Sequence, residues 1–537
     1  MQFNLNEIRN NYSPILRFAL FFFIFFGSVT ARAQEKKKVE IIQAGSLEES
    51  ENIANARRLI DDVIIKHNEV LLYCDSAYTY KNSNRVDAFG NVHINQGDTI
   101  HLYAKKIYYD GDTEFAQAIN NVVLKNKTIT LYTDTLDYNI KKNISYYDCS
   151  GTIVDSSNTL TSQVGEYYLD EDMVHFTDSV IGYSDKYTLT SEDVRYNTLT
   201  EIIYLEGPTT IKDSANTLYA EDGWYNTATG EAELTLNPEV YNATQLLEAN
   251  YISYNKENGN GVATGNVHME DYEKRSIVKG NKILFNELTE IATATDSALF
   301  ISYNNTDSLF LHADTLRTIP DTVEGENIVK AFYGVRFFRN DVQGVCDSLC
   351  YFSKDSLAQL HYNPVIWSEN HQLNAEYIEL KQHSNAPNEL HLNRNSFIIS
   401  KMDSARFDQI KGKDMVGYVI NGKLNNVDVD GNGQTLYYAR DEEAVIGLNH
   451  AESSKISIRF KDGKIHKISF KSQPEGKLTP LENLTEAEKE LSGFEWKIKQ
   501  RPLSRNDIFR KTERPAPSAE EKEKTKAKPG IGSKRIE

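Results

Sequence analysis

The sequence predicts an all-β protein built from a repeated two-strand unit, and three observations carry that prediction. A small residue recurs at Ala44, Cys74, Ala104, Thr133, Ser162, Ser191, Ala220, Ala249, Gly280, Ala313, Cys346, Ala375, Ser404 and Gly433, at intervals of 29 to 33 residues. A fixed period in this range marks a repeat architecture. Apolar columns keep phase with it, and 31 Tyr and 23 Phe against 12 Pro and 5 Met is a composition suited to extended structure.

With the small residue as position 0, one apolar column stands at −2: Ile42, Leu72, Leu102, Leu131, Leu160, Leu189, Leu218, Leu247, Val278, Leu311, Leu373 and Met402, broken by Gly344 and Gly431. A second stands at +3: Leu47, Ile107, Leu136, Val194, Ile252, Ile283, Leu316, Leu349, Ile378, Phe407 and Leu436. An aromatic column at +5 includes Tyr109, Tyr138, Tyr167, Tyr196, Tyr225, Tyr254, Phe285, Tyr351 and Tyr438, and a polar residue, often Asp or Glu, holds +1. Side chains alternate faces along a strand. Positions −2 and +3 differ in parity, so both reach one interior only if the strand bends or bulges at the small residue. Each repeat is therefore read as a kinked rung.

A second motif falls halfway between rungs, as FGNVHI (89–94), INNVVL (119–124), TGNVHM (264–269) and LNNVDV (424–429). A turn-forming Gly or Asn before a β-branched residue marks a strand entry, so each unit holds two strands. The longer intervals between 249 and 346 suggest a junction, dividing the repeats into 34–315 and 316–480. IRFKDGKIHKISF (458–470) predicts a closing hairpin turning at Asp462-Gly463. Thr485 with Glu488 predicts a capping box on a short helix. Residues 481–537 are read as that helix and a charged, disordered tail, which from about 497 has too little apolar sequence to bury a core.

The formal charge of −18 argues against nucleic acid as a partner, because phosphates would be repelled. The tail differs, with 13 Lys/Arg against 6 Asp/Glu in 497–537. At the other end Arg9 and Arg17, the apolar FALFFFIFFG (18–27) and Ala31-Arg32-Ala33 predict a secretory signal over 1–33. The four cysteines do not suit disulfides. Cys346 and Cys350 on one strand would stand about 13 Å apart, and Cys74 and Cys149 belong to non-adjacent repeats. All four are expected to be small buried or half-buried residues.

No catalytic motif appears, and neither a cofactor nor a metal is expected. DVDGNG (428–433) begins like a calcium loop, but Ala439 stands where a bidentate Glu would be needed. His93 and His268 share one motif position on distant rungs. The acids recurring at +1 read as a solvated corner rather than a glycosidase pair.

GNVHINQGDTIHLYAKKIYYD (90–110), GNVHME (265–270) and IKGKDMVGY…GNGQTLYYA (410–439) resemble the OstA/LptA family of lipopolysaccharide-transport proteins, over roughly residues 39–440. The resemblance implies an elongated, twisted β-jellyroll of V-shaped strands whose apolar trough holds the acyl chains of lipopolysaccharide. It departs from the family in having many more repeats than the small bridge protein and in lacking a large C-terminal barrel. The residues expected to line the trough are Leu102, Ile107, Leu131, Leu136, Leu160, Leu189, Val194, Leu218, Leu247, Ile252, Ile283, Leu311 and Leu316. From the columns alone, a dry closed core fits equally. The expected function is periplasmic lipopolysaccharide binding and transport. The partners implied are lipid A acyl chains, other jellyroll proteins joined by edge-strand addition, and an outer-membrane translocon. The alternative is a structural or glycan-binding β-solenoid at the cell surface.

Overall fold

The computed structural model describes residues 38–511 apart from 52, 98, 321–326 and 442–443. The signal segment and the tail beyond 511 lie outside the described residues. Among the described residues there are forty strands and five short 3-10 turns. Strand pairing is antiparallel, as an all-β jellyroll requires. No helix is long and apolar enough to cross a membrane.

The chain divides into two compact units, Met1–Lys127 with Asp134–Asn143, and Thr128–Thr133 with Ile144–Glu537. In the first unit Ala56–His67, Val70–Tyr80, Arg85–Gln96, Ile100–Asp110 and Phe115–Lys125 pair in sequence order. In the second unit many rungs are divided at the kink, as in Thr159–Ser162 and Val164–Tyr168. That division is why the strands outnumber two per repeat.

The kink is a two-for-one bulge, and the halfway motif makes it. Opposite one unpaired rung residue, the neighbouring strand holds two consecutive residues with left-handed φ. Examples are Gly90 (74°) and Asn91 (42°), Asp178 (64°) and Ser179 (56°), Gly265 (76°) and Asn266 (51°), and Gly431 (80°) and Asn432 (51°). Gly, Asn and Asp tolerate this conformation best, which explains the motif's composition. Between Val180↔Ser191 and Thr177↔Asp193 the rung skips only Glu192, so its buried parity changes there. The residue at +1 satisfies the corner. Gln163 N donates to Asp178 O at 2.9 Å and Glu376 N to Arg394 O at 3.0 Å. Among the acids, Asp75 accepts from Asn91 Nδ2 at 3.0 Å and Glu221 from Asn237 Nδ2 at 3.0 Å. The solvated-corner reading of the +1 acids holds.

The kink gives each rung a leading arm before the small residue and a trailing arm after it. Both arms carry an apolar ladder. In the first unit Ile65, Leu72, Ile94, Leu102 and Leu124 are successive cross-strand partners on the leading arm, and Leu59, Ala77, Ala88, Ile107 and Ala118 on the trailing arm. In the second unit the trailing ladder sets large against small, with Ile283 between Ala263 and Ala294. Gly261 faces Phe285, where an added Cβ would fall 1.9 Å from the ring. Each fully buried Leu or Ile contributes about 1.5–3 kcal/mol.

Two of the small residues are out of phase. Ser404 lies in the turn between Asn388–Lys401 and Phe407–Ile420. Gly433 follows a left-handed pair and faces Ser453, the true rung residue. Gly412 and Ser453 are the kinks of the last two rungs. The strands here lengthen to 14, 14, 19 and 18 residues, so a 29-residue step lands on the wrong strand. Leu436 and Tyr438 are consequently not interior positions. They pack with Phe397, Ile399, Leu448 and Leu491, with Phe407 and Met402 against them.

The closing hairpin turns at Asp462 (φ 49°) and Gly463 (φ 71°), between Ala444–Lys461 and Lys464–Lys471. Thr485 and Glu488 form the capping box on a 3-10 turn, Glu486–Lys489, rather than a helix. The expectation that the chain buries nothing from about 497 is corrected by Ile508, which is fully buried. None of the four cysteines forms a disulfide; Cys74 and Cys346 are buried and Cys350 half-buried, whereas Cys149 is exposed, contrary to expectation.

Candidate functional site

Of the thirteen residues proposed to line a trough, twelve are buried and Leu218 is half-buried. They stand in the −2 and +3 columns, which feed the two ladders. What they form changes along the second unit. The leading ladder runs Leu131, Ile153, Leu160, Gly182, Leu189, Ile211, Leu218, Val240, Leu247, Met269, Val278, Phe300, Leu311, Phe337. Up to Ile211 its Leu and Ile side chains are at most 2% exposed. From Leu218 onward Val240, Met269, Val278 and Phe300 are half-buried.

The +5 column turns at the same place. Tyr138, Tyr167 and Tyr196 are at most 1% exposed, whereas Tyr254 and Phe285 are half-buried. The trailing ladder beneath them stays closed, with Ile252, Ile283 and Leu316 at 1%, 0% and 3%. The candidate site is thus a groove with Ile252 and Ile283 at its floor. Leu218, Met269, Val278 and Phe300 stand on one side, and Tyr254 and Phe285 on the other.

The arm tips account for the change. In the first unit they are joined by His67 Nδ1 to Tyr109 OH at 2.6 Å, Asn68 to Glu114 at 3.2 Å, and Gln96 to Asn143 at 2.9 Å. In the second unit Asn158, 3% exposed, is the centre of the latch. Its Nδ2 donates to Tyr196 OH at 3.0 Å and Thr227 Oγ1 at 3.4 Å, and its Oδ1 accepts from Tyr187 OH at 2.8 Å. Burial, with the Asp155 carboxylate accepting from the same hydroxyl, holds the Tyr196 pKa far above the usual phenol range. Lys186 to Ala228 O and Lys256 to Asp213, both 3.3 Å, continue the closure. The tips meet again where Lys423 pairs with Glu369 at 2.9 Å and Ser368 Oγ donates to Gly422 O at 3.3 Å; in between, the tip bonds run along each arm. Asn242 donates to Asn216, Tyr303 to Glu270 and Asn340 to Asp307 on the leading side, and Tyr254 to Glu287 on the trailing side.

Sequence reasoning missed Val240, Met269 and Phe300, because the columns were counted on rungs alone. The signal was present: Met269 ends the motif TGNVHM as Ile94 ends FGNVHI, at the ladder position. Tyr138, Tyr167 and Tyr196 stand in the aromatic column at +5. The rings lie inside, and where the tips are latched their hydroxyls serve the latch.

Other candidates have structural explanations. Gly431 and Asn432 of DVDGNG form a corner inside the strand Lys423–Asp441. His93 lies stacked between Tyr73 and Tyr103, its Nε2 3.1 Å from His101 Nδ1, and burial lowers its pKa. His268 sits 3.2 Å from Glu270. His175, Asp193 and Glu206 present ligand atoms within 4.8 Å of one another. His175 already pairs with Asp193 at 2.7 Å and Glu206 with Arg195 at 3.2 Å, which fits a surface ion-pair network.

Residues 36–193 match the family described as OstA-like protein. No curated protein matches the chain. The matched segment ends before Leu218, so the half-open groove lies in the repeats that follow it.

Proposed function

Starting from the OstA-like family to which residues 36–193 belong, we propose that this chain binds lipopolysaccharide and passes it along the periplasm, holding acyl chains in the groove between the two arms. The observation that carries this reading is the half-buried apolar stretch from Leu218 to Phe300. A closed repeat would pack these side chains as fully as Leu131 or Leu189. Each acyl methylene moved from water onto such a surface gains about 0.8 kcal/mol. Two facing ladders repeated at every strand suit a long chain better than a compact ligand does. The N-terminal Arg-flanked apolar segment supports export. Exposed edge strands, Glu40–Gln43 and Ser46–Glu49, with Ile42 55% and Leu47 51% exposed, offer unpaired backbone to a partner jellyroll. A second reading, a structural β-solenoid, is favoured by the dry stretch from Leu131 to Ile211.

Photocrosslinking in living cells tests the proposal. A photoreactive residue at Met269, Phe300 or Phe285 is expected to yield lipopolysaccharide adducts, while outward-facing Tyr132 yields none. Absence of adducts at all three positions in a folded, exported chain would overturn it in favour of the structural reading.

A further inference from the structure

The stretch after Pro480 adds no strand to the sheet, yet it is held closely. It crosses the outer face of the leading arm, and three glutamines hold it: Gln409, Gln372 and Gln343, 1%, 0% and 4% exposed. Each stands three residues before a rung's small residue, Gly412, Ala375 and Cys346. Gln409 Nε2 donates to Lys489 O and its Oε1 accepts from Leu491 N, both at 2.8 Å. Six residues on the pattern repeats, with Gln372 Nε2 to Glu495 O at 2.8 Å and Lys497 N to Gln372 Oε1 at 2.7 Å. Four residues further, Arg501 Nε donates to Gln343 Oε1 at 2.8 Å and Arg336 Nη2 to Gln500 O at 3.0 Å.

A side-chain carboxamide that pairs with the C=O of residue i and the N–H of residue i+2 reads backbone, not side chains. Specificity then comes from the apolar anchors. Leu491 enters the cluster of Phe397, Ile399 and Leu448. Phe494 and Trp496 meet Phe407 with ring centroids 5.4 and 5.2 Å apart. A buried carboxamide without partners is costly, so this face is built to be covered by polypeptide. The connector Leu481–Glu488 is exposed apart from half-buried Leu484, which packs at the edge of the same cluster.

We propose that this outer face is a polypeptide-binding groove, that residues 489–501 are its resident ligand held in cis, and that the groove accepts the same segment supplied in trans. The chemistry required of a ligand is a backbone offering C=O and N–H pairs at a six-residue step, with apolar side chains placed like Leu491, Phe494 and Trp496. In cis, the short connector gives the segment a high effective concentration, so exchange needs the tether to be cut or a second chain to be abundant. This inference stands apart from the lipid reading and concerns the opposite face of the same arm.

The test uses the full-length chain with a protease site inserted between Asn483 and Leu484, cleaved after folding. A fluorescent peptide of residues 484–511 is then titrated in by anisotropy. Saturable binding that the unlabelled peptide competes is expected. Gln372→Ala and Gln409→Ala are each expected to weaken binding about tenfold. Three results would overturn the proposal: no peptide binding by a cleaved chain that has released its own segment and kept its far-UV circular dichroism; equal binding by the glutamine variants; or loss of the sheet on cleavage, which would make the segment part of the fold.

Discussion

Asp408 shows how a single residue's burial sets a pH response. It is 6% exposed and accepts from Tyr438 N at 3.0 Å. Burial raises its pKa to about 6, with the Tyr438 amide and Arg440 opposing. An acid whose folded pKa exceeds its unfolded value binds more protons when folded, so its contribution to stability falls as pH rises from about 4 to about 6. The expected outcome is that Asp408→Asn stabilises the chain at pH 7 by up to about 3 kcal/mol and by less at pH 5, as read from urea midpoints of parent and variant at both pH values. An unchanged pH profile in the variant would refute the assignment. At this scale the sequence was most legible at the corners. Gly, Asn and Asp at the halfway motif are there because backbone of left-handed φ leaves few other choices. The buried Asp was not legible, since nothing local distinguishes Asp408 from the acids at solvated corners.

At the scale of the element, the arm tips decide whether the interior is closed. Asn158 serves four side chains inside the latch, those of Asp155, Tyr187, Tyr196 and Thr227, and removing it takes one partner from each of the buried Tyr187 and Tyr196 hydroxyls. Asn158→Ala should cost about 1–3 kcal/mol and speed amide exchange in the hairpin tips at 155–158 and 184–187. Exposed Ser157→Ala should stay within about 0.5 kcal/mol of the parent. Equal midpoints for the two variants would show that the latch contributes nothing. The latch was not legible in sequence, because its partners stand up to 69 residues apart and look like ordinary turn residues. The rungs were legible from period and parity, except where strand length changed. At Ser404 and Gly433 a constant step met strands of 14 to 19 residues, and phase was lost.

At the scale of the whole molecule, within the second unit each rung touches mainly its neighbours, which makes the stack divisible. Deleting residues 192–220 would join Ser191 to Glu221, a kink residue to a +1 residue. Tyr225 would fall where Tyr196 stood and Thr227 where Thr198 stood. The shortened chain is expected to fold, with far-UV circular dichroism per residue retained and a cooperative urea transition. A molten or aggregated product would show that the rungs are not interchangeable.

The sequence by itself determined the strands, the kink and both ladders, because these follow from the local rules of side-chain alternation and left-handed backbone repeated in phase. Only the tertiary structure decided where the interior opens, since that depends on whether the tips of two arms, far apart in sequence, reach each other. It also decided that Leu436 and Leu491 share an outer core, because a segment read as a tail turns back across the sheet and covers a face that the repeat alone would leave to solvent.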